Sequence, residues 1–203
     1  MKNYITIHGR QIELSAEQTE QFEMLLNLPK KQLSQVPAGE TCMIGGFEFL
    51  VLEHNNGTTA LILKDLHGKL APFGKNNNYA ESTVDKLCEV FAEELIKRIG
   101  KENVMEHAVD LTADDGLKDY GVISRRASLL TADMYRRFVY LLEKHKLKKW
   151  WWLATPFSTK AHDDEYAVKC VSPSGNIYNI NYFNGNRGVR PFCILKSNIF
   201  VSK

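Results

Sequence analysis

The distribution of apolar and polar residues predicts a chain built largely from short strands. Residues 3–14 alternate around a central His-Gly pair, a pattern typical of a β-hairpin. Residues 47–52 and 59–63 are apolar runs, and Asn55-Asn56-Gly57 lies between them as a strong signal for a tight turn. The sequence therefore predicts two hairpins in the first third of the chain.

Three stretches have helical rather than strand periodicity. Ser15 and Gln18 form a capping box, and one helical face follows with Phe22, Leu25 and Leu26. A longer helix begins after Ser82 and stops at Gly100, and its apolar stripe consists of Val84, Leu87, Cys88, Phe91, Leu95 and Ile99. A third helix begins at Thr131 or Asp133, and its inner face consists of Tyr135, Phe138, Val139 and Leu142.

The remaining segments read as strands and loops. Residues 104–111 predict a strand, residues 65–80 a loop, and residues 112–120 an acidic loop. The Trp-rich run that starts at Trp150 and the run 188–195 predict two more strands. Because the two main helices do not alternate with strands in βαβ units, we predict the α+β class with a mostly antiparallel sheet.

The positions of Pro and Gly residues predict three units along the chain. Residues 1–28 form a hairpin-helix unit that is too small to fold firmly alone. It is expected to dock on the rest of the chain or on another subunit, which would make the protein a homo-oligomer. Residues 29–39 read as a linker, and residues 40–203 form the main domain.

Composition excludes several classes of protein. With 44% hydrophobic and 25% charged residues and a mean hydropathy of −0.30, the chain is globular rather than disordered. A net charge of +2 gives no electrostatic case for binding nucleic acid or an anionic membrane. The basic run 145–149 follows a predicted helix, where cations favour the helix dipole, although a phosphate-binding patch is the alternative.

The sequence indicates a protein that stays in the cytoplasm. The first residues alternate instead of forming an apolar run, and no stretch reaches the length of a membrane span. Four cysteines are scattered without a CxxC pair. Cys170 and Cys193 fall in strands that could be neighbours, but we expect free thiols in a reducing compartment.

Candidate metal and catalytic residues form no recognisable constellation. The loop with Asp110, Asp114, Asp115 and Asp119 could bind calcium, yet its spacing does not fit an EF-hand and a turn explains it better. The run 162–165 could also hold a hard cation, although a solvated loop is the simpler interpretation. No zinc, nucleotide or nucleophile-base motif is present. We therefore expect no enzyme, no metal and no cofactor.

The segment from Asn176 to Asn186 is rich in Asn and Tyr and is the candidate binding site. Two interpretations stay open: a turn-rich hairpin, and a recognition surface in which aromatic rings supply area and amides supply hydrogen bonds. The candidate contact residues are Tyr166, Asn176, Tyr178, Asn179, Asn181, Tyr182, Asn184 and Asn186. The candidate scaffold consists of Trp150, Trp151, Trp152 and Val189–Phe192 with Arg190. Because strand side chains alternate, Trp151 should face away from Trp150 and Trp152.

Three runs, WWLATP, VKCVSPSGNI and GVRPFCIL, resemble a family of uncharacterised domains common in phages and Firmicutes. Their arrangement is also similar to the C-type-lectin-fold variable proteins of diversity-generating retroelements. Those proteins vary a C-terminal segment at codons that yield Asn, Tyr, Asp, His, Ser, Ile and Phe. The resemblance implies a C-type-lectin-like mixed fold, with Tyr166 added to the binding face. The EPN, QPD and WND motifs of calcium-dependent sugar-binding lectins are absent.

These observations lead to one expectation and two alternatives. We expect a non-enzymatic domain of phage or prophage origin that binds a protein or glycan surface, as a variable protein of that kind would. A structural or assembly protein of a virion, with the N-terminal unit as oligomerisation element, is the first alternative. An anti-defence inhibitor that binds a host protein is the second.

Overall fold

A computed structural model describes residues 3–7, 10–15, 17–18 and 31–202. The backbone of the N-terminal unit forms the predicted hairpin, in which β1 (Asn3–Ile7) pairs antiparallel with β2 (Arg10–Leu14). Both halves of the capping box are present, because Gln18 N–H donates to Ser15 Oγ at 3.1 Å and Ser15 N–H donates to Gln18 Oε1 at 2.9 Å. The rest of the predicted first helix lies outside the described residues.

Five strands of the first half of residues 31–202 include three of the six strands of one sheet. Their bounds are β3 (Lys31–Gln32), β4 (Thr41–Ile44), β5 (Phe47–Asn55), β6 (Thr58–Leu63) and β7 (His67–Ala71). The predicted hairpin of β5 and β6 is confirmed, and Asn56 (φ 42°) and Gly57 (φ 79°) form its turn in left-handed conformation. β7 lies in the stretch that the sequence predicts as a loop. Its side chains are mostly exposed, so the sequence there has no apolar alternation that would predict a strand.

The two helices of residues 31–202 begin at the predicted caps. α1 (Thr83–Ile99) follows Ser82, whose side chain accepts from Asp85 N–H, and Gly100 ends it with φ 88°. α2 (Ala132–Glu143) follows Thr131, which settles the choice between Thr131 and Asp133. Both apolar stripes are largely buried.

Short strands occupy the second half of the chain. Their bounds are β8 (Val104–Met105), β9 (His107–Asp110), β10 (Val122–Arg125), β11 (Ala127–Ser128), β12 (Trp151–Pro156), β13 (Ala167–Val171), β14 (Ile177–Asn181), β15 (Arg187–Val189), β16 (Phe192–Lys196) and β17 (Phe200–Val201). The predicted strand 104–111 is split, because β8 pairs with β16 whereas β9 pairs with β10.

Two larger sheets organise the main body. A six-stranded sheet has the order β11-β16-β6-β5-β4 with β8 on β16, and a five-stranded sheet has the order β14-β13-β12-β15-β7. Their ladders are antiparallel except for the single parallel contact of β12 with β15. The α+β class with two main helices and mostly antiparallel sheets is therefore confirmed.

Residues 31–36 belong to this body, although the sequence places them in a linker. Leu33 is fully buried and Val36 is 7% exposed, because β3 pairs with β17 and carries them into the core. A Pro/Gly-rich composition does not reveal such packing. The division of the chain at residue 28 stays a prediction.

The core alternates across β12 as strand geometry requires. Trp151 and Leu153 pack in a cluster with α2, whereas Trp152 and Ala154 pack in a cluster with the first half of α1. Both faces of the five-stranded sheet are therefore covered near β12. No helix in the described part of the chain is long and apolar enough to cross a membrane.

Candidate functional site

The predicted binding segment forms the outermost strand of the five-stranded sheet. β13 turns back through Ser172–Gly175 and pairs with β14 in unbroken antiparallel register from Ala167 opposite Asn181 to Val171 opposite Ile177. Gly175 adopts φ 89°, and Tyr135 of α2 donates its hydroxyl to the Gly175 carbonyl at 2.6 Å. The hairpin is thus fixed to the core by its turn.

Alternation along β14 separates the predicted contact residues into two sets. Tyr178 lies opposite Cys170, and Ile180 and Tyr182 pack with the core cluster that contains Trp152 and the first half of α1. Asn179 and Asn181 lie opposite Lys169 and Ala167 and point to the α2 side of the sheet. The sequence predicts one surface, but side chains of period two cannot all face the same way. We name Tyr166, Tyr178 and Tyr182 the tyrosine face, and Asn179 and Asn181 the amide face.

The tyrosine face consists of two exposed rings and one half-buried ring, each in contact with a neighbouring aromatic side chain. Tyr166 is 56% exposed and stacks on Tyr182 with a 15° interplanar angle and 6.5 Å between centroids. Tyr178 is 46% exposed and packs on Trp150 at 5.2 Å. Phe183, 61% exposed, meets the Tyr182 ring edge-on at 5.5 Å. Phe183 is not among the predicted contact residues, although its place between turn-forming Asn residues indicates exposure.

Arg187 supports this face from beneath. Its guanidinium lies 5.2 Å from the centre of the Trp150 ring, and the residue is only 8% exposed. Its Nε has no hydrogen-bond partner, and no carboxylate in the described part of the chain forms a salt bridge with it. The tyrosine face thus has a buried positive charge beside uncharged exposed rings.

The amide face adjoins a charged cluster. Lys169 Nζ lies 2.5 Å from Asp114 Oδ2, and Arg136 of α2 lies 3.2 Å from the other carboxylate oxygen. Burial disfavours the Asp114 anion, but these two cations keep the pKa of Asp114 below its usual value. Lys169 is therefore occupied by the protein itself, which leaves the amides as the exposed polar groups of β14.

The other predicted contact residues lie in turns. Asn176 is exposed, donates its main-chain N–H to Ser172 Oγ at 3.2 Å and donates its side-chain amide to Ser174 Oγ at 3.2 Å. Asn184 N–H donates to the Asn181 carbonyl at 3.1 Å. Asn186 is exposed just before β15. Asn176 therefore lies in a turn, whereas Tyr178 is exposed on the strand.

Each aspartate of the acidic loop has a protein partner. Asp110 accepts from Thr112, Asp119 accepts from Thr159 at 2.8 Å, and Asp115 accepts from Ser158 at 2.6 Å and pairs with His162 at 3.0 Å. Within the described residues, no group of His, Cys, Asp or Glu is arranged to hold a metal. Ser158 and His162 share one Asp115 oxygen, and a nucleophile-base relay requires a serine-histidine contact instead.

The four cysteines are buried free thiols. Cys170 lies in β13 of the five-stranded sheet, whereas Cys193 lies in β16 of the six-stranded sheet and packs in a different core cluster, and the two form no disulfide. Burial raises the pKa of Cys170 to about 11 and that of Cys88 to about 12. These thiols stay protonated near neutral pH, which makes them poor nucleophiles.

The scaffold residues join the two sheets. Arg190 is 1% exposed, donates Nε–H to the Leu63 carbonyl at 2.7 Å and lies 5.3 Å from the centre of the Trp151 ring. Burial lowers the pKa of Arg190 to about 10. Trp152 Nε1–H donates to the Ala71 carbonyl at 2.9 Å and so connects β12 with β7.

Asn77, a buried asparagine within the predicted loop 65–80, fixes the start of β13. Asn77 is fully buried and donates to the carbonyls of Ser158 (2.9 Å) and Ala167 (3.1 Å). Its Oδ1 accepts from the Tyr120 hydroxyl at 2.7 Å. Its role depends on partners more than forty positions away, which no local pattern indicates.

The candidate site lies in a stretch that is similar to a domain of unknown function. Residues 124–197 match a domain of unknown function, DUF6273, and that span includes the tyrosine face, the amide face and the scaffold. No curated protein and no solved structure matches the chain.

Proposed function

We propose that the protein is a non-enzymatic binding protein that recognises a protein or glycan surface through its tyrosine face. One observation carries this proposal: Tyr166, Tyr178 and Tyr182 lie together on a regular, core-anchored hairpin, with two of the rings half exposed. Rigid aromatic rings contribute large contact area at small entropic cost, and their hydroxyls add hydrogen bonds. Such a surface suits flat ligands that combine apolar and polar groups.

The absence of a catalytic role in this proposal rests on the chemistry of the described nucleophiles. The thiols are buried with raised pKa values, and Ser158 donates to the weakly basic carboxylate of Asp115 rather than to a histidine. Neither arrangement generates an activated nucleophile at neutral pH.

A C-type-lectin-like fold, a phage or prophage origin and diversification by a retroelement complete the proposal. The two helices with mostly antiparallel sheets are compatible with such a fold. Apart from Gly185, the exposed residues of 176–186 are Asn, Tyr and Phe, three of the types that diversified codons yield. In this proposal the protein acts from the cytoplasm of the cell that makes it, or on a virion.

A binding experiment with matched tyrosine variants tests the proposed face. The probes are a glycan array and intact bacterial cells, presented to the wild type, to Tyr166→Ser/Tyr178→Ser and to Tyr140→Ser. Tyr140 is 84% exposed on α2 and serves as the control. We expect the double variant to lose at least about tenfold in affinity, because each aromatic anchor contributes a kilocalorie or more. Tyr140→Ser should bind like the wild type.

Two results would contradict the tyrosine face. One is equal binding by the wild type and the double variant. The other is an equal loss in Tyr140→Ser, which would show that the effect is unspecific. Melting temperatures measured in parallel separate lost contacts from lost folding.

A further inference from the structure

β14 is an edge strand without the usual protection against pairing. Its register with β13 has no bulge, and the run 176–186 contains neither proline nor a charged residue. The opposite edge of the same sheet, β7, differs: it carries Lys69, a left-handed Gly68 (φ 67°) and a register shift against β15. Natural proteins use such charges and irregularities to prevent an edge strand from pairing with a strand of another chain.

The main-chain groups that β14 leaves free can be assigned from the ladder. Ser172 N–H donates to the Asn176 carbonyl, and Tyr182 N–H donates to the Tyr166 carbonyl, both at 2.9 Å. The β14 residues whose main-chain groups bond to β13 are therefore the even-numbered ones, because inward and outward hydrogen bonding alternates along an antiparallel strand. The N–H and C=O groups of Ile177 and Asn179 and the N–H of Asn181 point outward and are free, whereas the Asn181 carbonyl already accepts from Asn184 N–H at 3.1 Å.

We propose that β14 of a second copy of this chain occupies that edge, antiparallel, about a two-fold axis at Asn179. In this register Asn179 opposes Asn179, and Ile177 opposes the second copy's Asn181. The two Asn179 residues can exchange both hydrogen bonds, and in each flanking pair Asn181 N–H can donate to the carbonyl of the opposing Ile177. The five-stranded sheets of two copies then form one continuous sheet.

Side-chain chemistry favours a second copy as the occupant. On the tyrosine side, Tyr178 opposes the second copy's Ile180, an aromatic and β-branched pair of the kind that stabilises sheets. On the other side, two Asn179 amides meet and can hydrogen-bond to each other. No like charges oppose each other, because the run 176–186 is uncharged. The strand is thus complementary to itself in one register.

The contact shares Tyr178 with the proposed ligand site, but its hydrogen bonds come from the outer main chain of β14 and from the amide face. Tyr166 and Tyr182 take no part in it, and its test requires no ligand. A single strand pair buries little area, so we expect reversible dimers that form with increasing concentration. Failure of ligand binding would therefore not affect this inference.

Charge complementation at Asn179 tests the two-fold register. Sedimentation equilibrium of the full-length chain, from about 5 µM to about 500 µM, should show the wild-type mass rising above 23.2 kDa. Asn179→Lys and Asn179→Asp should each raise the dissociation constant at least about tenfold, because like charges then face each other. An equimolar mixture of the two should restore dimers. Asn186→Lys and Asn186→Asp, outside the strand, should behave like the wild type.

Three results would overturn the inference. They are a constant 23.2 kDa for the wild type at all concentrations, undiminished association of each Asn179 variant, and a mixture that stays monomeric. Asn179→Pro is a second probe that removes the outward N–H without adding charge, and retained association in it also counts against the strand pair. Thermal melting checks that every variant is folded.

Discussion

A buried histidine should make the protein acid-sensitive in a pH window of its own. His107 is 9% exposed, contacts Phe192 ring to ring at 5.0 Å, and its Nδ1 has no hydrogen-bond partner. Its Nε2 lies 2.9 Å from Ser128 Oγ. Burial lowers the pKa of His107 from its ordinary 6.5 to about 4.

The magnitude follows from proton linkage. Between pH 6.5 and about 4 the unfolded chain binds a proton at His107 that the folded chain does not bind, so the free energy of unfolding falls as the pH falls. Each unit of pKa difference corresponds to about 1.4 kcal/mol, and the difference here therefore corresponds to about 3 kcal/mol. Stabilised carboxylates such as Asp110 and Asp115, whose pKa values are lowered, act mainly below this window.

His107→Met isolates this contribution. Methionine does not titrate, and Ser128 Oγ still donates to the Leu129 carbonyl at 3.0 Å, so the variant leaves no new unpaired donor. Urea unfolding followed by tryptophan fluorescence at pH 7 and pH 4 gives the free energy of unfolding of both proteins. The wild type should lose about 3 kcal/mol more than the variant between these pH values. An equal loss in both proteins would refute the reasoning.

Two further predictions concern the body of the protein and the origin of its surface. Arg125→Met should lower the free energy of unfolding by about 3–5 kcal/mol, because it leaves the Asp85 carboxylate, 2% exposed and 2.7 Å from the guanidinium, buried without its partner. Asp85→Leu/Arg125→Met should recover most of that loss in urea unfolding, and a loss below 1 kcal/mol in Arg125→Met would contradict the pairing argument. Sequencing around the gene should reveal a reverse transcriptase and a non-coding copy of the codons for 176–190 that differs mainly at adenines. If neither is found, diversification by a retroelement is wrong.

Local signals predicted the helices and one long hairpin. Ser82, Gly100 and Thr131 mark helix ends because a cap depends on a few adjacent residues. The turn at Asn56-Gly57 is equally local, since its left-handed backbone conformation favours those residue types.

The site itself was predicted in composition but not in geometry. The two-residue period of a strand correctly predicted that Trp151 and Trp152 point to opposite faces of the sheet. The same rule applied to β14 would have predicted that Tyr178 and Asn179 point to opposite faces. Strand neighbours could not be inferred, because the contact of β12 with β15 and the anchoring of β13 by Asn77 join residues distant in sequence. Short exposed strands such as β7 and β10 have too few buried positions to give a pattern.

The pairing of β3 with β17 brings the two ends of the main body together. Lys31 lies opposite Val201 and Met43 bridges to Ser202, so the polypeptide enters and leaves this body at one place. A short peptide joining these ends would leave the sheets undisturbed, and the exposed turn at Gly57, where an added Cβ meets no atom within 4 Å, offers new termini. The body is therefore suited to circular permutation and to insertion into a loop of another protein, and β14 would stay exposed in both cases.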